Sequence, residues 1–381
     1  MFSLPTVQFT DEQEQFRLEV RAFLQEHLAK GTFKTKCDSW LSGSDPAFSK
    51  LIGEQGWIGL TWPKKYGGQE RSTIDRYILT EEFLAVGAPV AAHWFADRQT
   101  GPLLMRFGTE EQREFFLPKI VKGECYFGIG LSEPNSGSDL ASVKTRAEKV
   151  DGGWIINGSK TWTSNAHDAH YAVTLIRTEP LGEKKHDGLS QLIIDLHAEG
   201  VTIVPIKYLT GEHHFNEVFF DNVFVPDNMV VGTLGNGWKQ GLAELAFERS
   251  GPERILSTFP LLDELIAELK RQGDAAGMKE ASKVLSRLWG LRNLSIGVAK
   301  VLEEGGEVAI PAALVKSIGT KFEQSIPEIT RLLVRTYPRL EAERRIDRFM
   351  AESTLHAPGF TIRGGTSEVL YGMVAKGVVG Q

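Results

Sequence analysis

Cysteine is scarce: Cys37 and Cys125 are the only two. They lie far apart in sequence and form no metal-spaced pair, so no metal site is expected and a reduced, cytoplasmic setting is. Basic excess is missing as well. With 43 Lys and Arg against 49 Asp and Glu, the formal charge is -6, without the positive field that a nucleic-acid partner demands. No window approaches the roughly 18 apolar residues of a membrane span, so no membrane partner is expected. Residues 1–10 lack the basic start and apolar run of a secretory signal. Internal repeats, low-complexity tracts and a βαβ unit are also absent. Without the last, isolated Gly-rich turns carry no dinucleotide-binding meaning.

What is present is an ordinary globular composition, 41% hydrophobic and 24% charged, over 381 residues. That length exceeds what one core usually serves, so two or three subdomains are expected. Thr10-Asp11-Glu12-Gln13 has the form of a capping box, and Phe16, Val20, Phe23, Leu24 and Leu28 follow on one helical face. Helical patterns resume over 72–86 and 109–122, beyond a loop at 64–68. From 126 to about 232 the period drops to two, with β-rich runs at 169–176, 189–196, 201–206 and 215–225. Strands without intervening helices predict an antiparallel barrel or sandwich. Long helical patterns return at 239–271, 278–302, 311–336 and 340–355.

The chain is organised around 126–165. A short buried strand, 126–131, runs into a turn of small hydroxylic residues, and Asp151-Gly152-Gly153 marks a tight hairpin, since glycine supplies the positive φ such turns need. The next strand is expected to deliver Trp162 and Ser164 to one face, because alternate strand residues point the same way. A flat aromatic beside short donors suits a heteroaromatic cofactor edge. An ordinary hairpin with a polar turn has the same spacing.

Two motifs in this stretch resemble the middle domain of the acyl-CoA dehydrogenase family. Its signature is a (Thr/Ser)-Glu-Pro-x-x-Gly-Ser-Asp turn, matched from Ser132 to Asp139, then Asn-Gly-x-Lys-x-(Trp/Phe)-(Ile/Thr)-(Ser/Thr)-Asn, matched from Asn157 to Asn165. Trp62-Pro63 with Tyr66-Gly67-Gly68, and the Gly-x-x-x-Gln-x-x-x-(Phe/Tyr)-Leu-Pro segment at 108–118, extend the likeness. The resemblance implies an α+β multidomain chain. An N-terminal α-helical domain would span 1–125, a middle antiparallel β-barrel domain 126–235, and a C-terminal four-helix bundle 236–381.

Oxidising an acyl thioester between Cα and Cβ requires a base at Cα, a hydride acceptor for Cβ, and donors that stabilise the developing enolate oxygen. The resemblance supplies FAD, whose N5 is the acceptor. It places Leu131, Ser132, Trp162 and Ser164 on the flavin and Ser138 near the CoA portion of the substrate. Ser138 also reads as a turn residue bonding its own backbone. Many relatives carry the base as Glu in a Tyr-Glu-Gly-Thr motif. This chain has Ile362-Arg363-Gly364-Gly365-Thr366 there, and glycine takes no proton. A minority, including isovaleryl- and long-chain-type enzymes, place the base on the first long helix of the C-terminal domain, in an x-Glu-Arg sequence. Phe247-Glu248-Arg249 matches, which makes Glu248 the candidate base with Arg249 beside it as a substrate-binding candidate. Gly364 would keep a donor role through its N–H. Pro252 is expected to kink the helix around Glu248. The competing reading is a solvated helical Glu, with Arg249 and Glu253 as an i,i+4 pair. Glu253 is the second candidate base, and Glu244 lies one turn earlier.

Two family motifs that reach a neighbouring subunit's FAD are not evident, their regions reading Arg271-Gln272-Gly273-Asp274 and a charged helical run, Glu341-Ala342-Glu343-Arg344. Thr366 and Glu368 stand where the family contacts pyrophosphate and adenosine. Lys316, Thr320 and Gln324 recur on one helical face, either as substitute contacts or as a packing face. His167, His170, His213 and His214 read as surface-loop residues without metal spacing. The resemblance further implies an acyl-CoA substrate, a trans-2-enoyl-CoA product, an electron-transfer flavoprotein as acceptor, and a homo- or heterotetramer. Two other readings stay open on the same fold: an FAD-incomplete subunit of a heterotetramer, and a flavin monooxygenase.

Overall fold

The computed structural model describes residues 3–241 and 249–379. They form two compact units that alternate along the chain. One takes 44–70 and 90–245, the other 1–43, 71–89 and 246–381. The helical first third is thus shared between them.

The first unit is built on a sheet. Its strands are β1 Phe127–Gly130, β2 Arg146–Val150, β3 Gly153–Ser164, β4 Tyr171–Arg177, β5 Leu189–Asp195, β6 Val201–Ile206, β7 Phe215–Pro226 and β8 Val230–Val231. Their order is β6-β7-β3-β2-β4-β5-β8, with β1 paired to β4. Pairing is antiparallel as expected, with two exceptions on one edge of β4. There β1 runs parallel along Tyr171 to Thr174, and β2 meets it in parallel at Arg177. Strands β4 and β5 are buried almost throughout, as strands covered on both faces must be. Ile176, Leu192 and Ile194 join Trp154, Ile156 and Phe220 in one core, while Leu175 and Leu189 join Val143 in another. Helix Glu110–Val121 places Phe116 edge-on to both Phe127 and Tyr171, 5.4 and 5.2 Å between centroids.

The β2–β3 hairpin turns at Asp151-Gly152, with Gly152 at φ 72°. Beyond it, strict alternation fails at the position that matters most. Lys160 pairs with Val218 and Thr163 with Asn216, so Thr161 and Trp162 together oppose Glu217. This bulge puts Trp162 at φ 60° and leaves it 51% exposed, while Ser164 is buried. Trp162 and Ser164 therefore do not follow one another at the simple two-residue period expected of them.

The second unit is helical. Thr10 caps helix Asp11–Ala29 reciprocally with Gln13, and Phe16, Val20 and Leu24 are its buried face. The expected helix 278–302 is Ala275–Glu303 and 311–336 is Ala309–Leu333. The expected helix 239–271 is broken. Gly251 is extended, Pro252–Arg254 forms a single 3-10 turn, and a new helix, Phe259–Gln272, starts with Pro260 in its first turn. Proline has no N–H to continue a helix but fits its first turn, so the kink expected at Pro252 is a complete stop. The charged run 341–344 is not helical either: helix Arg345–His356 begins after it.

Candidate active-site segments

Within the sheet unit, the two sequence motifs are tied to each other by a buried ion pair. Lys160 Nζ lies 2.8 Å from Glu133 Oε1 and donates to the Leu131 carbonyl at 3.1 Å. The Glu133 carboxylate also accepts from the N–H groups of Lys144 and Thr145 at 2.6 and 2.8 Å. Burial pulls the Lys160 ammonium down to about 8 against the attraction of Glu133. Burial opposes the Glu133 charge too, yet Lys160 and the two N–H groups hold its carboxyl below the ordinary value. The turn that follows β1 is thereby pinned over β3, and Ser132 O accepts from Thr161 N at 2.9 Å. The pair was not foreseen, although both residues stand inside the quoted motifs. Each motif read alone does not show that its charged member points at the other.

Leu131 and Ser132 are half-buried, and Ser132 adjoins Thr161 through that hydrogen bond, whereas Ser138 is exposed on the turn. Trp162 stands edge-on to Phe215, 5.8 Å between centroids. Next to it the hydroxyl of Thr163 is buried without a hydrogen-bond partner among the described residues. An exposed indole, an unsatisfied buried hydroxyl and a short polar turn fit the edge of a flat heteroaromatic group such as a flavin. Among the described residues, no cluster of three metal-capable side chains exists.

Glu248 and Glu244 lie outside the described residues. Arg249 does not share a continuous helix with Glu253, because Gly251 is extended and Pro252–Arg254 is a 3-10 turn. Its Nε donates to the Gly364 carbonyl at 3.2 Å. Glu253 is 2% exposed in the 3-10 turn, its carboxylate folded over the Cα of Gly251. Gly364 and Gly365 have φ of 66° and 101°, a conformation that favours glycine. Thr366 accepts from Val369 N at 3.3 Å and so caps helix Ser367–Val379, with Glu368 exposed in its first turn.

Directly before Gly364, Arg363 is anchored in a buried ionic cluster. Its guanidinium contacts Asp38 Oδ1 at 2.5 Å, Ser257 Oγ at 2.7 Å and Glu323 Oε2 at 3.4 Å. His356 Nδ1 faces Asp38 Oδ2 at 3.3 Å. Burial works against the Asp38 charge, but Arg363 and His356 hold its carboxyl well below the usual range. Burial wins at Glu323, pushing it up to about 7 against the pull of Arg363. Between the ordinary value of 4.5 and 7, the folded state holds a proton that the unfolded chain has released. Stability from this group therefore falls as pH rises through that window. Glu323→Gln is expected to flatten the slope, so that its urea midpoint gains on the parent's from pH 5 to pH 8. Parallel midpoint–pH curves would refute this.

Lys316 and Thr320 both donate to the Phe360 carbonyl, at 2.8 and 3.2 Å, and Gln324 donates to Ala357 O at 2.8 Å. This face secures the 357–361 turn, in line with the packing reading. Arg271 pairs with Glu264 and Glu268, while Gly273 ends one helix and Asp274 caps the next. The histidines are not all surface residues. His214 is buried and stacked on Tyr208, and His170 Nδ1 accepts from Tyr126 N at 3.1 Å.

Comparison with known proteins extends the likeness over the whole chain. Residues 10–124 match the family model for the acyl-CoA dehydrogenase N-terminal domain, and 128–223 the one for its middle domain. Acyl-CoA dehydrogenase IpdE1 of Mycobacterium tuberculosis is 34% identical over 378 residues, 96% of this chain and 97% of that one. The mitochondrial isovaleryl-CoA dehydrogenase of Solanum tuberosum is 31% identical over 271 residues, 69% of this chain and 65% of that one. Among solved structures, a steroid ACAD, Tcur3481-Tcur3483, superposes with a TM-score of 0.86 at 27% identity over 98% of both chains. The ChsE4-ChsE5 complex of Mycobacterium tuberculosis does so with 0.82 at 27% identity over 99% of both. With its helical N-terminal region, middle sheet domain and C-terminal helices, this chain belongs to the acyl-CoA dehydrogenase family.

Proposed function

We propose that this chain catalyses FAD-dependent α,β-dehydrogenation of an acyl-CoA thioester to the trans-2-enoyl-CoA, within a tetramer that passes electrons to an electron-transfer flavoprotein. The observation that carries the reading is the bulge at Trp162, which displays an indole beside the buried hydroxyls of Thr163 and Ser164. Leu131, Ser132, Trp162 and Ser164 would hold the flavin ring, and Thr366 and Glu368 its phosphate and adenosine end. Bound FAD supplies a two-electron acceptor for the hydride that leaves Cβ. Glu248 takes the Cα proton, the Gly364 N–H donates to the thioester oxygen, Arg249 holds the Gly364 carbonyl, and Ser138 lies towards the CoA portion. The test is an anaerobic titration of the yellow protein with acyl-CoA thioesters of straight, branched and cyclic chains. Bleaching by at least one class is expected; a flavin that none of them reduces would overturn the proposal.

A second reading has its own observation. Lys316, Thr320 and Gln324 hold the 357–361 turn, and the two family FAD motifs are not evident in this sequence. The cofactor site would then be completed by a different chain in a heterotetramer. Protein purified alone would be colourless and turn yellow with the second chain. A yellow homotetramer would exclude this reading.

A further inference from the structure

We infer that Arg254 occupies the side-chain place of residue 364 and thereby bars a catalytic carboxylate from that position in this chain. Arg254 is 2% exposed, with its guanidinium carbon 5.1 Å from the centre of the Trp40 ring. A Cβ placed on Gly364 would lie 2.8 Å from Arg254 Nη2, 3.0 Å from Cζ and 3.2 Å from Nη1. The head of the guanidinium therefore takes the space a Cβ at 364 would need. The Arg254 backbone is fixed on both sides. It donates to Gly251 O at 3.1 Å, and its carbonyl packs on the Cα of Gly319 in helix Ala309–Leu333. On the other side of the peptide, Arg249 holds the Gly364 carbonyl.

Two consequences follow from this packing. Any side chain at 364 meets both a left-handed backbone and a buried cation. A carboxylate there would be captured by Arg254 as a buried ion pair, which lowers its basicity and turns it away from a bound thioester. Arg254 is thus a positioning residue for Gly364, and the sequence Gly-Pro-Glu-Arg at 251–254 is coupled to Arg-Gly-Gly-Thr at 363–366 across the helical unit. The link to catalysis rests on the reading of Glu248 as the base; the packing claim does not.

The packing claim is tested by a thermal double-mutant cycle on the holoprotein with Gly364→Ala, Arg254→Gln and their combination, with Arg254→Lys as a milder variant. At least about half of the Tm loss caused by Gly364→Ala is expected to vanish when Arg254 is shortened. Equal losses in all backgrounds would overturn it. The catalytic claim is tested by flavin bleaching in the Glu248→Gln background. Adding Gly364→Glu should bring no recovery of rate, and adding Arg254→Gln as well should raise it about tenfold or more over that double variant. Recovery with Arg254 in place, or a triple variant no faster than the double, would overturn it. If Glu248→Gln alone bleaches at the parent rate, the function reading has failed, and the thermal cycle still decides the role of Arg254.

Discussion

Flavin bleaching by an acyl-CoA thioester is expected to slow about 10³-fold in Glu248→Gln, within the range of about 10²–10⁴-fold that a positioned general base contributes. The amide keeps the size and one acceptor of the carboxylate but cannot take the Cα proton. The α-proton of a thioester is weakly acidic, so binding and flavin colour should survive while reduction does not. A loss of rate with little change in substrate affinity would mark a group that acts in the transition state. Glu248→Asp should recover part of the rate, since the base is kept and only its reach is shortened. The same variant separates the dehydrogenase from a flavin monooxygenase on this fold, which needs no base at Cα. Undiminished bleaching in Glu248→Gln would exclude Glu248 as the base and return attention to Glu253, buried five residues on.

Lys160→Met should cost the sheet unit about 3–5 kcal/mol, the usual penalty for removing one partner of a buried ion pair. The Lys160 side chain has no exposed area and that of Glu133 has 8%. Without the ammonium, the Glu133 carboxylate retains the two N–H donors but no countercharge, and the Leu131 carbonyl loses its donor. The turn after β1 would then loosen over β3, at the residues assigned to the flavin ring. Urea unfolding should show a lower midpoint with an unchanged m value, together with weaker FAD retention. Lys160→Met combined with Glu133→Gln should regain most of the loss, because the stranded charge is gone. If the single variant is as stable as the parent, the pair does not hold the two motifs together.

Local features of this chain were legible before any coordinates. The Thr10 capping box, the Gly152 hairpin and the β-rich runs of β4 and β5 depend on residues a few positions apart, and the structure has them within two residues of where the pattern put them. Family-level motifs likewise carried the fold. Pro252 marks an interruption in the sequence, but not how complete it is. Whether proline kinks or ends a helix depends on the extended Gly251 and on the second proline, Pro260, opening the next helix.

What the sequence by itself determined is the list of elements, the family, and the residue types available for proton transfer and for holding a flat cofactor. Only the tertiary structure decided how they are presented. Trp162 stands out of its strand because β7 supplies one residue opposite two. Glu133 meets Lys160 across 27 positions, Arg363 meets Asp38 across 325, and Arg254 fills the space over Gly364. Local periodicity arises from the backbone of one segment, whereas a bulge, a buried ion pair or a filled side-chain place requires a second segment brought into register by the fold.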